Sequence, residues 1–262
     1  MPYSIRDGVR LFYTDSGLGD APLLFVHGWC CDHTYWRRQV PAFRRRHRVV
    51  SVDLRGHGRS SKPRQEYTIE GFCRDLEWLM GELSLRRPVV VGHSMGGVIA
   101  LHLGARRRRA VSGVVIVDSP IFPKLTRQLR RHLDAFISAL EGPAYRQAAR
   151  GFIDDFLFLP TSPKSLRERV RARMVAAPQH VMASAMRNLW IDNQAAAAAL
   201  KVPALLVSAG GGLTDYQRLS RTIPALQIGR TVGVGHFLQL EAADQFNAML
   251  RAFIEQLGSA RR

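Results

Sequence analysis

Two hydrophobic rhythms alternate along the chain. Short apolar, β-branched runs occur at "PLLFVHG" (22–28), "HRVVSVDL" (47–54), "PVVVGH" (88–93), "SGVVIVDS" (112–119), "PALLVSAG" (203–210) and "ALQIGRTV" (225–232). Stretches with helical spacing lie between them, for example 67–83 and 96–106. This alternation predicts an α/β fold with a mainly parallel sheet. The last five runs are continuously apolar, as expected of strands covered on both faces. "VRLFYTDS" (9–16) predicts one more strand ahead of them.

From about Pro120 to Lys201 the strand rhythm stops. "KLTRQLRRHLDAFISALEG" places Leu125, Leu129, Leu133, Phe136, Ile137 and Leu140 on one helical face, and Gly142-Pro143 ends it. "TSPKSLRERVRARMVAAP" predicts a helix capped by Ser162, with Pro163 in its first turn and a stop before Pro178. "AAAAAL" (195–200) favours another. The expected organisation is a core of residues 1–119 and 201–262, with a helical cap, 120–200, inserted between two core strands.

Composition and charge narrow the function classes. Apolar residues are 46% and charged residues 23%, an ordinary globular balance. No apolar run approaches the roughly 20 residues that cross a bilayer, and no basic segment followed by an apolar one is visible at the N-terminus. Cys30, Cys31 and Cys73 have neither metal-ligand spacing nor a disulfide framework, so they read as reduced thiols of a cytoplasmic protein. The formal net charge is +17; of 38 basic residues only those at 62, 124, 164 and 201 are lysines. The arginines are scattered, as "RRR" at 44–46, "RRRR" at 106–109 and "RERVRAR" at 167–173. A nucleic-acid binder concentrates such charge and interleaves stacking aromatics. Here aromatics are only 8% and no binding motif accompanies the arginines, so a solvated basic surface is expected, with no specific nucleic-acid partner. Attraction of an acidic partner protein is the other reading of this charge.

The candidate chemistry lies at 92–96, "GHSMG", where an apolar run ends and a helical pattern begins. G-x-S-x-G is a nucleophile elbow: the serine occupies a tight strand-to-helix turn, and the glycines remove side chains that would collide there. Ser94 is therefore the candidate nucleophile, with the following helix N-terminus facing any negative charge that develops. His93 is expected to point away from Ser94 and to pack.

With "FVHGW" (25–29), "DLRGHGRS" (53–60), "GHSMGG" (92–97) and "VGVGHFLQLEAADQF" (232–246), in that order, the chain resembles the α/β-hydrolase superfamily over nearly its whole length. The resemblance implies the α/β-hydrolase fold, with His236 as general base and the backbone N–H groups of Trp29 and Met95 as oxyanion hole. It also implies turn-structuring roles for His27, Asp53, Arg55, His57 and Ser60. The acid is open. Many relatives carry it in a Gly-x-x-Asp turn after the penultimate strand, where this chain has Gly212. Asp215 follows three residues on, at an expected helix start, while Asp118 ends the strand after the elbow helix. Some dehalogenases and lactonases of the superfamily use that strand end. Asp118 is the first choice and Asp215 the alternative; a site with no functional acid is the third.

The resemblance implies a serine hydrolase that cleaves a small-molecule carboxylic ester, lactone or thioester through an acyl-enzyme. Phe122, Phe152, Phe156, Phe158 and Trp190 are the candidate lining of an apolar pocket under the cap. No cofactor and no metal are expected. A C–C bond hydrolase acting on a diketone shares the same machinery, and a slow-turnover ligand-binding receptor shares the same pocket.

Overall fold

Successive side chains along the strand Leu23–Val26 point to opposite faces of one sheet. Leu24 and Val26 join an apolar cluster on one side, and Leu23 and Phe25 join a second cluster on the other. The same split separates Val90 from Val89 and Val91, and Leu206 from Leu205 and Val207. Both faces are covered, which is why these strands read as unbroken apolar runs.

The computed structural model describes residues 2–210 and 214–259. Eight strands form one sheet: β1 (Tyr3–Arg6), β2 (Val9–Ser16), β3 (Leu23–Val26), β4 (Val49–Val52), β5 (Val89–His93), β6 (Gly113–Val117), β7 (Ala204–Ser208) and β8 (Leu226–Arg230). Their order is β1-β2-β4-β3-β5-β6-β7-β8. β1 and β2 run antiparallel at one end, and the pairs from β4 to β8 are parallel. β1 was not apparent in the sequence pattern. β8 departs from the expectation of a doubly covered strand: it is the sheet edge, and most of its residues are exposed.

The helices are α1 (Val40–Phe43), α2 (Ile69–Glu82), α3 (Met95–Arg106), α4 (Arg127–Glu141), α5 (Tyr145–Phe156), α6 (Lys164–Met174), α7 (Gln179–Arg187), α8 (Gln194–Ala199), α9 (Tyr216–Thr222), α10 (Leu238–Glu241) and α11 (Ala243–Ser259). α4 to α8 fill the connection between β6 and β7. Their buried residues, including Leu140, Ile153, Val170 and Met182, belong to the same cluster as Leu24 and Val90. On the opposite face α11 packs Phe246, Leu250 and Phe253 against the sheet.

α6 begins at Lys164, and Ser162 does not cap it. The Ser162 hydroxyl instead donates to Glu241 Oε2 at 2.6 Å and accepts the Leu159 N–H, partners contributed by a distant helix and its own turn.

β3 pairs β4 on one side and β5 on the other, so the direction of winding reverses between β3 and β5. In open α/β sheets such a crevice, at the carboxyl ends of the strands, is where ligands bind. Registers Val26↔Gly92, His93↔Val117 and Val117↔Val207 align the ends of β3, β5, β6 and β7 along that edge.

Candidate active site

Ser94 caps α3 with φ 55° and ψ −118°, in the left-handed half of backbone space that a non-glycine residue enters only under constraint. The constraint is visible on both sides. Its N–H donates to Val117 O at 2.8 Å, and its own carbonyl accepts from Gly97 N at 2.9 Å. A Cβ at Gly92 would lie 1.9 Å from Gly96 O, and one at Gly96 would lie 2.3 Å from Val26 O. Only glycine lets the chain reverse this tightly while α3 rests on β3.

Six described non-glycine residues have positive φ, and three of them stand at this sheet edge: Cys30 (54°) after β3, Ser94 after β5 and Asp118 (42°) after β6. Strain of this kind is held only where the surroundings over-determine it. Asp118 turns sharply off its strand, anchored by its N–H to Val207 O at 2.8 Å. Its carboxylate accepts the Ala209 N–H at 3.1 Å through Oδ1 and meets His236 Nδ1 at 2.7 Å through Oδ2. A carboxylate only accepts, so Nδ1 carries the hydrogen and Nε2 is the basic nitrogen. Burial alone would raise the Asp118 carboxyl, but the His236 hydrogen bond and charge, with the Ala209 N–H, hold it below the usual carboxylate range.

The loop after β3 brings a second feature. Neither the Trp29 nor the Met95 backbone N–H has an acceptor among the described residues. Met95 opens α3, whose first N–H groups have no partner within the helix. Gly28 lets the loop approach: a Cβ there would stand 3.0 Å from Ser94 Cβ. His27 ties this loop to the next one, accepting the Leu54 N–H on Nε2 at 3.0 Å and donating from Nδ1 to Gly28 O at 2.8 Å.

Ser94, Asp118 and His236 face a cavity of about 400 Å³ whose walls are mainly apolar. Part of its wall is an aromatic ladder. Trp29 meets Phe136 and Phe152 edge-on at 6.1 and 5.9 Å, Phe136 stacks on Phe152 at 4.5 Å, and Phe152 stacks on Phe156 at 5.4 Å. Phe156 is 63% exposed, so the ladder ends at the mouth. Trp29 is held by a bond from Nε1 to Met182 O at 2.9 Å, which joins the β3 loop to α7.

A strained serine at a strand-to-helix turn and a histidine aimed by a largely buried aspartate share this cavity, with Trp29 on its wall and the Met95 N–H directly after the serine. Over residues 21–243 the chain matches the family model described as alpha/beta hydrolase fold. The chain belongs to the alpha/beta hydrolase family. That membership makes this alpha/beta hydrolase an enzyme of hydrolytic function. It is 27% identical to the dihydrolipoyllysine-residue acetyltransferase component of the acetoin cleaving system of Pseudomonas putida, over 97% of this chain and 70% of that one. Among solved structures, an enol-lactonase from Burkholderia xenovorans LB400 superposes with TM-score 0.87, at 24% identity, covering 97% of this chain and 100% of that one. Est816, described as an N-acyl homoserine lactone degrading enzyme, superposes with TM-score 0.79, at 28% identity, over 96% and 100% of the two chains.

Within this alpha/beta hydrolase the two candidate acids stand apart. Asp215 caps α9, accepting the Arg218 N–H at 3.0 Å, with Lys124 3.9 Å away, and is not part of the cavity. Gly212, compared above with the usual acid turn, lies outside the described residues. Phe152, Phe156, Phe158 and Trp190 line the cavity, but Phe122 does not. Its ring packs under the Arg218 guanidinium at 4.4 Å, because its backbone is pinned by the Asp215 N–H and turns toward α9. Sequence reasoning did not single out Trp29's side chain, nor Leu129, Leu133 and Phe136, as cavity lining. The last three belong to the apolar face of α4 that the helical spacing had displayed.

Asp53 accepts His33 N and Nδ1 on Oδ1, at 2.6 and 2.8 Å, and Arg59 N on Oδ2 at 2.8 Å. Ser60 donates to Asp53 O, His57 to Arg55 O, and Arg55 pairs with Asp75. These bonds shape the β4 loop. Asp32, His33 and Asp53 bring ligand atoms within 4.8 Å of one another, the spacing a metal would need. Both Asp53 oxygens already accept hydrogen bonds from the loop, Asp32 Oδ1 accepts from Thr34, and Asp32 Oδ2 pairs with Arg173 at 3.1 Å.

Proposed function

We propose that this hydrolase is a serine enzyme that cleaves a carboxylic ester, lactone or thioester through an acyl-enzyme. Ser94 Oγ attacks the carbonyl carbon. His236 Nε2 takes the hydroxyl proton and returns it to the leaving oxygen or sulfur, while Asp118 keeps Nδ1–H aimed and stabilises the imidazolium that forms. The Trp29 and Met95 N–H groups receive the charge on the tetrahedral oxygen. A water activated by His236 then releases the acid. The observation that carries the reading is the 2.7 Å bond from His236 to Asp118 in the cavity that holds the strained Ser94.

The apolar ladder suits the acyl group, with α4 to α8 acting as the cap that shapes it. Est816's description as a lactone-degrading enzyme supports including lactones. Three buried free thiols support a reducing compartment, the cytoplasm; among the described residues no helix is long and apolar enough to cross a membrane. The test is Ser94→Ala with a chromogenic short-chain ester and a serine-directed phosphonate. Turnover falls to near background in the folded variant, and the phosphonate labels the wild type at Ser94 alone. Undiminished turnover, or labelling elsewhere, rejects the mechanism.

A further inference from the structure

The ring of His93 is buried between the two loops that carry the proposed chemistry, and nothing above uses it. It stands 4.5 Å from the His236 ring and 5.3 Å from Phe237, tilted against both. Nε2 lies 2.9 Å from the His236 carbonyl oxygen. That oxygen can only accept, so Nε2 carries the hydrogen and Nδ1 is a bare lone pair. Nδ1 is buried and has no donor among the described residues. It faces Gly28 of the β3 loop, where a Cβ would come within 3.2 Å of it.

His236 is therefore gripped at three points. Asp118 aims its ring, Leu157 O accepts its N–H at 3.3 Å, and His93 holds its carbonyl. The third grip differs from the others in where it is rooted. His93 ends β5 and directly precedes Ser94, and its backbone is locked by the pairing of His93 with Val117.

We propose that His93 is a positioning residue: its Nε2–H ties the main chain of His236 to the strand that carries Ser94, and so sets how the His236 ring faces that serine. This rests on the serine mechanism above. Packing alone does not ask for an imidazole at this place. An apolar side chain would fill the space and leave the His236 carbonyl without its donor. Protonation would put a second N–H at Nδ1 with no acceptor, beside a ring that itself gains a proton in turnover. Burial, with the charge of His236, pushes His93 down to about 3, so the tether stays neutral.

The experiment compares His93→Leu, which fills without donating, with His93→Gln, whose amide N–H has the reach of Nε2–H. Steady-state kinetics on a chromogenic ester are run beside thermal denaturation and phosphonate labelling. His93→Leu is expected to lower kcat roughly 10- to 100-fold, with KM within about twofold of wild type. His93→Gln is expected to recover about tenfold or more of that loss. A leucine variant within about twofold of wild-type kcat, or a glutamine variant no better than leucine, overturns the proposal. If His93→Leu does not fold, His93→Gln is set against His93→Asn, whose amide stops at the Nδ1 position. Equal activity of that pair also overturns it. Failure of the serine mechanism reads differently: Ser94→Ala then retains turnover and the phosphonate misses Ser94, and the positioning role falls with it.

Discussion

Asp118 and Asp215 are both carboxylates held below their usual range, but by different partners. Asp118 overcomes its own burial through His236, whereas half-buried Asp215 is held first by the Arg218 backbone N–H. An asparagine at 118 keeps the shape but can present an N–H to Nδ1, which favours the wrong tautomer of His236. Asp118→Asn is expected to lower kcat by about 10³- to 10⁴-fold, the loss seen when a triad acid is amidated. Asp215→Ala removes a cap and is expected to lower stability modestly while leaving kcat near wild type. Kinetics and urea unfolding of the two variants decide between them. The reverse ranking would move the acid back to the turn after β7.

Under the proposed function, α4 and α5 are the elements expected to decide which acyl group fits. Phe152 is the middle rung of the ladder, touching Trp29, Phe136 and Phe156. Phe152→Ala is expected to widen the cavity, raising kcat/KM for bulky acyl groups relative to acetyl about tenfold. Because the ring is only partly buried, the stability loss should sit at or below the lower end of the ~3–5 kcal/mol typical of a core phenylalanine. An unchanged preference across an acyl-chain series would mean that substrates bind elsewhere in the cavity. The sequence made the strand ends legible, because local rules act there: glycines at 92 and 96 and an apolar run before Ser94 are enough to define the elbow. β2 was readable to the residue: the run 9–16 is the strand Val9–Ser16, with Gly8 before it and Gly17 after it. The walls were less legible, because a ring's direction depends on which distant element holds its backbone. Phe122 turned away when Asp215 pinned its carbonyl, and Ser162 left its cap for Glu241, 79 residues along. Neither partner is visible in a local pattern.

At the scale of the whole molecule the buried histidines are expected to set the acid limit of the fold. His57 and His93 are each pushed down to about 3, first by burial and next by the charge of a neighbouring histidine, His27 and His236 respectively. Each donates from one nitrogen and keeps the other as a buried lone pair with no donor among the described residues, Nε2 in His57 and Nδ1 in His93. His27 is lowered too, by burial that the Asp53 charge only partly offsets. It already spends its lone pair on the Leu54 N–H, which a second ring proton would expel. An unfolded histidine titrates near 6.5, so between about 3 and 6.5 the unfolded chain binds protons that the folded chain refuses. Stability then rises with pH through that window and falls as pH drops below about 6.5, by up to about 1.4 kcal/mol per pH unit for each such ring. Asp53 and Asp118 have lowered values, so their contribution is complete above about 3.9 and is lost only below the point where the histidines have begun to act. Urea unfolding is therefore expected to give steady stability from pH 8 to 7 and a decline that starts near 6.5, well above the carboxylate range. His57→Asn, whose side-chain amide can still donate to Arg55 O, should flatten that decline by the slope of one proton. Stability that holds level down to pH 4.5, or a slope untouched by His57→Asn, would show that the buried rings take up their protons without opening the fold.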